Sequence, residues 1–287
     1  MNARAVWLHL RVPFSFFLLP VFWFALSQSP QPDSGRAVLV VLIIHLLLYP
    51  ASNAYNSYYD KDEESIGVLE TPPPVDRTLL YVAWGLDLFA LLLGWFAGPP
   101  FVLYLLIYGL ISKAYSHDKI RLKRYPVVSW LVVGLFQGAF TYLMTFQAIN
   151  DLPLVALEQP RILLAALLCT LNVLAIYPIT QVYQHAEDAR RGDLTLSRLL
   201  GVRGTFVCAL AVFTCSIAGF YVYFWGQQPF YWLLGFLLPA MVFFLIWYRH
   251  VHQDSSRADF RSTMRMVTLA GIGLNGFFLT LLFLSRS

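Results

Sequence analysis

Two stretches of this 287-residue chain put polar side chains where an apolar sequence has little use for them. The first is residues 49–64, YPASNAYNSYYDKDEE, and its counterpart is residues 177–192. Tyr177-Pro178 matches Tyr49-Pro50, Gln181 matches Asn53, Tyr183 matches Tyr55, Gln184 matches Asn56 and Asp188 matches Asp60. Steps of three and four residues keep such side chains on one face of a helix. The first stripe reads His45, Tyr49, Asn53, Asn56, Asp60, Glu64, and the second Tyr177, Gln181, Gln184, Asp188. Amides alone can serve as glue between helices in a bilayer. The aspartates ask for more, because they fall at helix C-terminal ends, where the macrodipole disfavours negative charge. A cation beside them would remove that conflict.

The donors on offer are carboxylates and amides, with no Cys–His set, which favours Mg²⁺ over zinc or copper. Mg²⁺ keeps several waters and usually binds one or two carboxylates together with substrate phosphates, so a phosphate-bearing substrate is implied. Residues 113–124, KAYSHDKIRLKR, supply counter-charge through Lys113, Lys119, Arg121, Lys123 and Arg124. Arg121 and Lys123 are the favoured pyrophosphate partners, since arginine makes forked contacts and lysine a point charge. The bland alternative is that these cations only orient the chain in the membrane.

The elements that carry these residues are predicted to be membrane spans. The chain is 58% hydrophobic and 13% charged, with mean hydropathy +0.61, whereas soluble domains are about a quarter charged. Apolar runs near the ~20 residues that cross a bilayer recur throughout. Nine spans are predicted, at 13–28, 36–58, 77–97, 99–116, 126–147, 161–185, 203–224, 230–248 and 265–285, in one all-α unit covering 1–287. The first run lacks a small-residue cleavage site, so no removable signal peptide is expected. All of the 20 Lys and Arg residues except Arg36, Arg161 and Arg286 lie at the N-terminus, in the loops after even-numbered spans or at the helix ends flanking them. That places the N-terminus and the charged loops in the cytosol and the C-terminus outside. It also explains the excess of basic residues without nucleic acid. Cys169, Cys208 and Cys215 sit inside apolar runs without metal-ligand spacing.

Spans two and six run the same way, so the repeat is parallel and both stripes face one cytosol-facing cavity. Pro50 and Pro178 precede their aspartates by about 15 Å of helix and are expected to bend it. The loop segment ETPPP, residues 70–74, reads as part of a lid. A cavity within lipid, walled by some of the 23 Phe and 16 Tyr, suits a long apolar tail, and ring faces can stabilise a carbocation.

These residues resemble the UbiA superfamily of intramembrane prenyltransferases. The family's first motif, Asn-x₃-Asp-x₃-Asp, is matched by Asn56, Asp60 and Glu64. Its second, Asp-x₃-Asp followed by a glycine and Thr-Leu, is matched by Gln184, Asp188, Gly192, Thr195 and Leu196. YSHDKIRLKR is similar to the family's Tyr-Ser-x-Pro-Pro-x-Arg-Leu-Lys loop. The departures are Gln184 for an aspartate, Glu64 for an aspartate and His117-Asp118 for a diproline, with Glu187 and Asp193 near the lost carboxylate. The resemblance implies transfer of a prenyl group from an allylic prenyl diphosphate to a small acceptor, aromatic or another lipid precursor, with Mg²⁺ as cofactor and no obligate protein partner. Asn56, Asp60, Glu64 and Asp188 would hold metal. Asn53, Asn56, Gln181, Gln184, Tyr115 and Lys119 would bind substrate, while Arg121 and Lys123 neutralise the diphosphate. The rivals are a non-catalytic prenyl-lipid or quinone-binding homologue, made credible by Gln184, and a secondary transporter, disfavoured because the sequence shows no charged pair at mid-membrane.

Overall fold

The computed structural model describes residues 1–284, and these are helical apart from turns, loops and one isolated bridge between Ile66 and Leu69. In chain order the helices are α1 (Ala3–Leu10), α2 (Leu19–Gln28), α3 (Ser34–Asp60), α4 (Arg77–Ala97), α5 (Pro99–Ser116), α6 (Pro126–Asn150), α7 (Pro160–Gln181), α8 (His185–Arg190), α9 (Leu196–Phe224), α10 (Gln228–Gln253) and α11 (Phe260–Leu284). Seven of them, α3, α4, α6, α7, α9, α10 and α11, are long and apolar enough to cross a membrane. An eighth span results if Ala3–Phe17 and α2, bent by 43°, count as one. The chain is thus an integral membrane protein. The expected count of nine is not reached, because α5 is helical over its 18 residues but opens with two prolines and carries Lys113. The predicted end of the last span at 285, and Arg286, lie outside the described residues.

Two interior clusters tie the bundle. One joins Val40, Ile43, Ile44 and Leu48 of α3 to Ala90, Phe101, Leu105 and Tyr108 of α4 and α5 and to Met144 and Ile149 of α6. The other gathers Leu168, Phe220, Phe224, Leu233, Leu237 and Phe277 around Phe24, whose ring stacks on Phe278 at 4.5 Å. Lipid tails are as apolar as these side chains, so close packing rather than water exclusion holds such contacts. Gly138 shows how close the backbones come. A Cβ there would lie 2.5 Å from the Thr170 Cα, and the Ala139 N–H donates to the Thr170 hydroxyl at 3.0 Å.

The two repeat copies fold differently. α3 runs unbroken past Pro50 because a π-helical turn at Ile43–Leu48 absorbs it, with the Tyr49 N–H reaching back to Ile44. The helix then stops at Asp60, where Lys61 turns left-handed with φ 49. In α7 the regular helix ends at Ile176 and Pro178 begins a 3₁₀ stretch to Gln181. A proline supplies no N–H and clashes with the preceding turn, and here no π turn compensates. Gln184 therefore stands at the start of α8 rather than on a continuous helix with Gln181, and the second stripe is not a helical face.

Candidate active site

One polar cavity of about 240 Å³ lies where the ends of α3, α5, α7 and α8 meet. Of the expected site residues, Asn53, Asn56, Asp60, Tyr115, Lys123, Gln181, Gln184 and Asp188 line it. Asp60 and Asp188 thus share one cavity. Lys119 is exposed and lies outside it. Glu64 is outside as well, its side chain 46% exposed and paired with Arg190 at 2.5 Å. The helical step that aimed Glu64 inward ceases to apply once Lys61 turns left-handed. Asp62 lines the cavity in its place. His45, expected on the stripe, is buried against the Ser15 hydroxyl at 2.5 Å and is not among the lining residues.

Several of the inward groups are held. Asn56 donates to Asp60 at 2.6 Å and to the Ser116 hydroxyl at 2.8 Å. Thr195 starts α9 by accepting the Arg198 N–H and donates its own hydroxyl to Asp188 at 3.1 Å. The Tyr115 and Tyr177 hydroxyls bond to one another. Arg11 enters from the N-terminal segment, reaching the Asn53 carbonyl at 3.4 Å and the Asn56 side-chain oxygen at 3.3 Å.

Arg121 and Lys123 are organised by Asp193, which is 1% exposed. Arg121 grips it with two bonds of 2.8 and 2.9 Å, and Lys123 lies 3.0 Å from it and 2.7 Å from Asp60. Only Lys123 of these two cations lines the cavity; Arg121 lies outside the lining, 3.8 Å from Asp60. Burial alone would lower the Lys123 ammonium, but Asp60 and Asp193 outweigh it and hold it above its ordinary value. Burial would raise Asp193, yet Arg121 and Lys123 keep it below the usual carboxylate range. The cavity carboxyls behave oppositely. Burial, helped by the charge on Asp60, pushes Asp62 up to about 7, and burial pushes Asp188 up to about 6. Among the charged lining residues, three carboxyls, Asp60, Asp62 and Asp188, stand with two cations, Arg11 and Lys123.

Its donors are all oxygens, which fits a hard divalent cation. Among the described residues no three His, Cys, Asp or Glu side chains gather closely enough to hold a metal by themselves. Arg11 and Asp62 escaped the sequence reading. Arg11 looks like any basic residue preceding a first span, and Asp62 lies off the helical period. Outside the cavity, Asp87 of α4 and Lys113 of α5 bond to one another, with the ammonium 5.2 Å from the Tyr55 ring centre.

The polar cavity adjoins apolar space. A cavity of about 90 Å³ shares Phe14, Gln137, Tyr177 and Thr180 with it. A third, of about 160 Å³ between α7, α9, α10 and α11, shares Phe17, Asn172, Ile176, Val267 and Leu274 with the second.

Residues 17–269 match the model of the UbiA prenyltransferase family. No curated protein matches the chain. Among solved structures, a UbiA homologue from Archaeoglobus fulgidus bound to DMAPP and Mg²⁺ superposes with TM-score 0.69 at 16% identity, covering 96% of this chain and 98% of that one. An apo UbiA homologue from Aeropyrum pernix K1 gives 0.69 at 17% identity, with 93% and 98% covered. A digeranylgeranylglyceryl phosphate synthase gives 0.63 at 13% identity, with 98% of each chain covered. At such identities these likenesses establish the fold.

Proposed function

Since the chain belongs to the UbiA prenyltransferase family, we propose that it moves a prenyl group from an allylic prenyl diphosphate to a small acceptor, aromatic or another lipid precursor, within the membrane. One observation carries this reading: a cavity lined by Asp60, Asp62, Asp188 and Lys123 shares wall residues with a neighbouring apolar cavity, which in turn shares walls with a third. A diphosphate head fits the first and a hydrocarbon tail the second. The archaeal homologue binds Mg²⁺ with DMAPP or GPP, and Mg²⁺ is the cofactor proposed here. Asp60, Asp62 and Asp188, with Asn56 and Gln184, would hold it. When bound, Mg²⁺ supplies charge stabilisation for the departing diphosphate.

The chain's own residues do the rest. Lys123 places an ammonium on the diphosphate side, and Asp193, itself fixed by Arg121, keeps that ammonium in place. Arg11, Asn53 and Gln181 offer further polar contacts to substrate. Tyr115, Tyr177, Tyr108 and Phe136 line the walls. Their ring faces suit positive charge on the allylic carbon as its carbon–oxygen bond breaks, and they exclude water that would trap it. The distribution of Lys and Arg argues that the cavity faces the cytosol.

The test is purified protein given Mg²⁺, prenyl diphosphates of several lengths and a panel of acceptors. Prenylated product and released diphosphate are expected, with Asp60→Asn and Asp188→Asn each lowering turnover by at least about a hundredfold, on the order of 3 kcal/mol of transition-state stabilisation. Gln184, an amide where the family's motif has an acid, favours a second reading, a prenyl-lipid-binding homologue without turnover. Metal-independent binding with no diphosphate release would select it.

A further inference from the structure

Gln184 leaves the second motif one acid short, and the structure shows what stands near the gap. The spacing from Asn56 through Asp60 continues to Glu64 only while the helix lasts, and it ends at Asp60. Beyond the left-handed Lys61, the Asp62 side chain lines the polar cavity and is 11% exposed, whereas Glu64 turns out to Arg190. The second half of the chain imposes this arrangement. Glu187, 3% exposed, accepts the Glu63 N–H at 2.9 Å on one carboxylate oxygen and the Glu64 N–H at 3.3 Å on the other. Gln184 donates to the Ser65 carbonyl at 3.2 Å. Three consecutive residues of the loop are thus gripped from across the bundle. Arg191 lies 3.3 Å from Glu187 and 3.6 Å from Asp62 and ties the two carboxylates together. In the same cavity the Gln181 side-chain oxygen is buried without a donor. A buried acceptor is normally satisfied, so this oxygen marks a site made for a ligand.

We propose that Asp62, not Glu64, joins Asp60 and Asp188 at the cation–diphosphate site, and that Glu187 is the positioning residue that turns it inward. The inference rests on the reading of this cavity as a diphosphate site. Glu187 then answers for the acid missing at Gln184 indirectly, by fixing backbone rather than by touching the ligand.

The test uses the purified full-length protein with Mn²⁺ as the probe ion, titrated by electron paramagnetic resonance with a non-hydrolysable thiolo analogue of GPP present. Asp62→Asn is expected to weaken Mn²⁺ binding at least tenfold and Glu64→Gln by less than twofold. Glu187→Gln should weaken it by about tenfold, in the range usual for groups that orient ligands, and Glu187→Asp should recover part of the loss. Thermal melting without metal checks that each variant is folded. Should Glu187→Gln fail to fold, the Asp62 and Glu64 variants still decide the assignment. Wild-type affinity in Asp62→Asn, or the main loss in Glu64→Gln, overturns this proposal alone. Failure of the unaltered protein to bind Mn²⁺ with the analogue overturns the diphosphate reading beneath it as well.

Discussion

Removing the charge of Asp193 is expected to be costly. It is 1% exposed and holds two cations, Arg121 by bonds of 2.8 and 2.9 Å and Lys123 at 3.0 Å. Breaking a buried ion pair by removing one partner costs about 3–5 kcal/mol, because the remaining charge is left uncompensated. The loss here is shared. Lys123 keeps Asp60 at 2.7 Å, and Arg121 keeps buried Asp60 at 3.8 Å as well as Asp118 at 3.3 Å, although Asp118 is 68% exposed and so contributes little. Asp193→Ala should therefore fall at the lower end, about 3 kcal/mol. The assay is reversible denaturation in mixed detergent micelles, run as a double-mutant cycle with Arg121→Ala. The cycle should return a coupling of about 1–3 kcal/mol, the range for residues in one network. Prenyl diphosphate binding should weaken in Asp193→Ala, since the Lys123 ammonium loses its anchor, and Asp193→Glu should restore part of both properties. A stability change under about 0.5 kcal/mol, or additive single effects, would refute the reasoning.

Four further outcomes are expected. Asp62 and Asp188 are pushed up to about 7 and about 6, so divalent-cation affinity, measured by titration calorimetry, should fall as pH drops through that window. The same shifts have the opposite effect without metal. The folded state holds protons that the unfolded state, with carboxyls near 4, has released, so metal-free stability should decline as pH rises from about 4 to about 7, and melting across that range checks the sign. Gly138→Ala should destabilise by about 1–3 kcal/mol, because its Cβ would sit 2.5 Å from the Thr170 backbone. Asp87 and Lys113 are 15% and 12% exposed, so Asp87→Ala alone should cost about 3 kcal/mol while the pair Asp87→Leu with Lys113→Met should be near neutral in the same denaturation assay.

Much of the molecule was legible in the amino-acid sequence because the bilayer demands simple things of it. Long apolar runs must be helices there, and polar side chains within them must face a partner or a cavity. Those rules alone bring Asn53, Asn56 and Asp60 to one side of a helix, and the matching spacing at Gln181, Gln184 and Asp188 pointed to the same cavity. Periodicity, however, holds only while the helix does. It put Glu64 inside, where the left-handed turn at Lys61 brings Asp62 instead. It treated the second copy as a continuous stripe, although Pro178 ends the regular helix and Gln184 begins another.

Contacts between distant segments were beyond any spacing rule. The grip of Glu187 on the backbone of residues 63–65, the bonding of Arg121 to Asp193 and the entry of Arg11 from the N-terminal segment depend on how far two helix ends lie from each other in space. The same holds for the pairing of Asp87 with Lys113, which lie on successive helices and are largely withdrawn from the surface together. A local pattern states which faces of a helix are polar. Only the packed bundle sets which charges meet, because burial and partner distance, not residue type, decide whether a carboxylate is a solvated loop charge or part of a site.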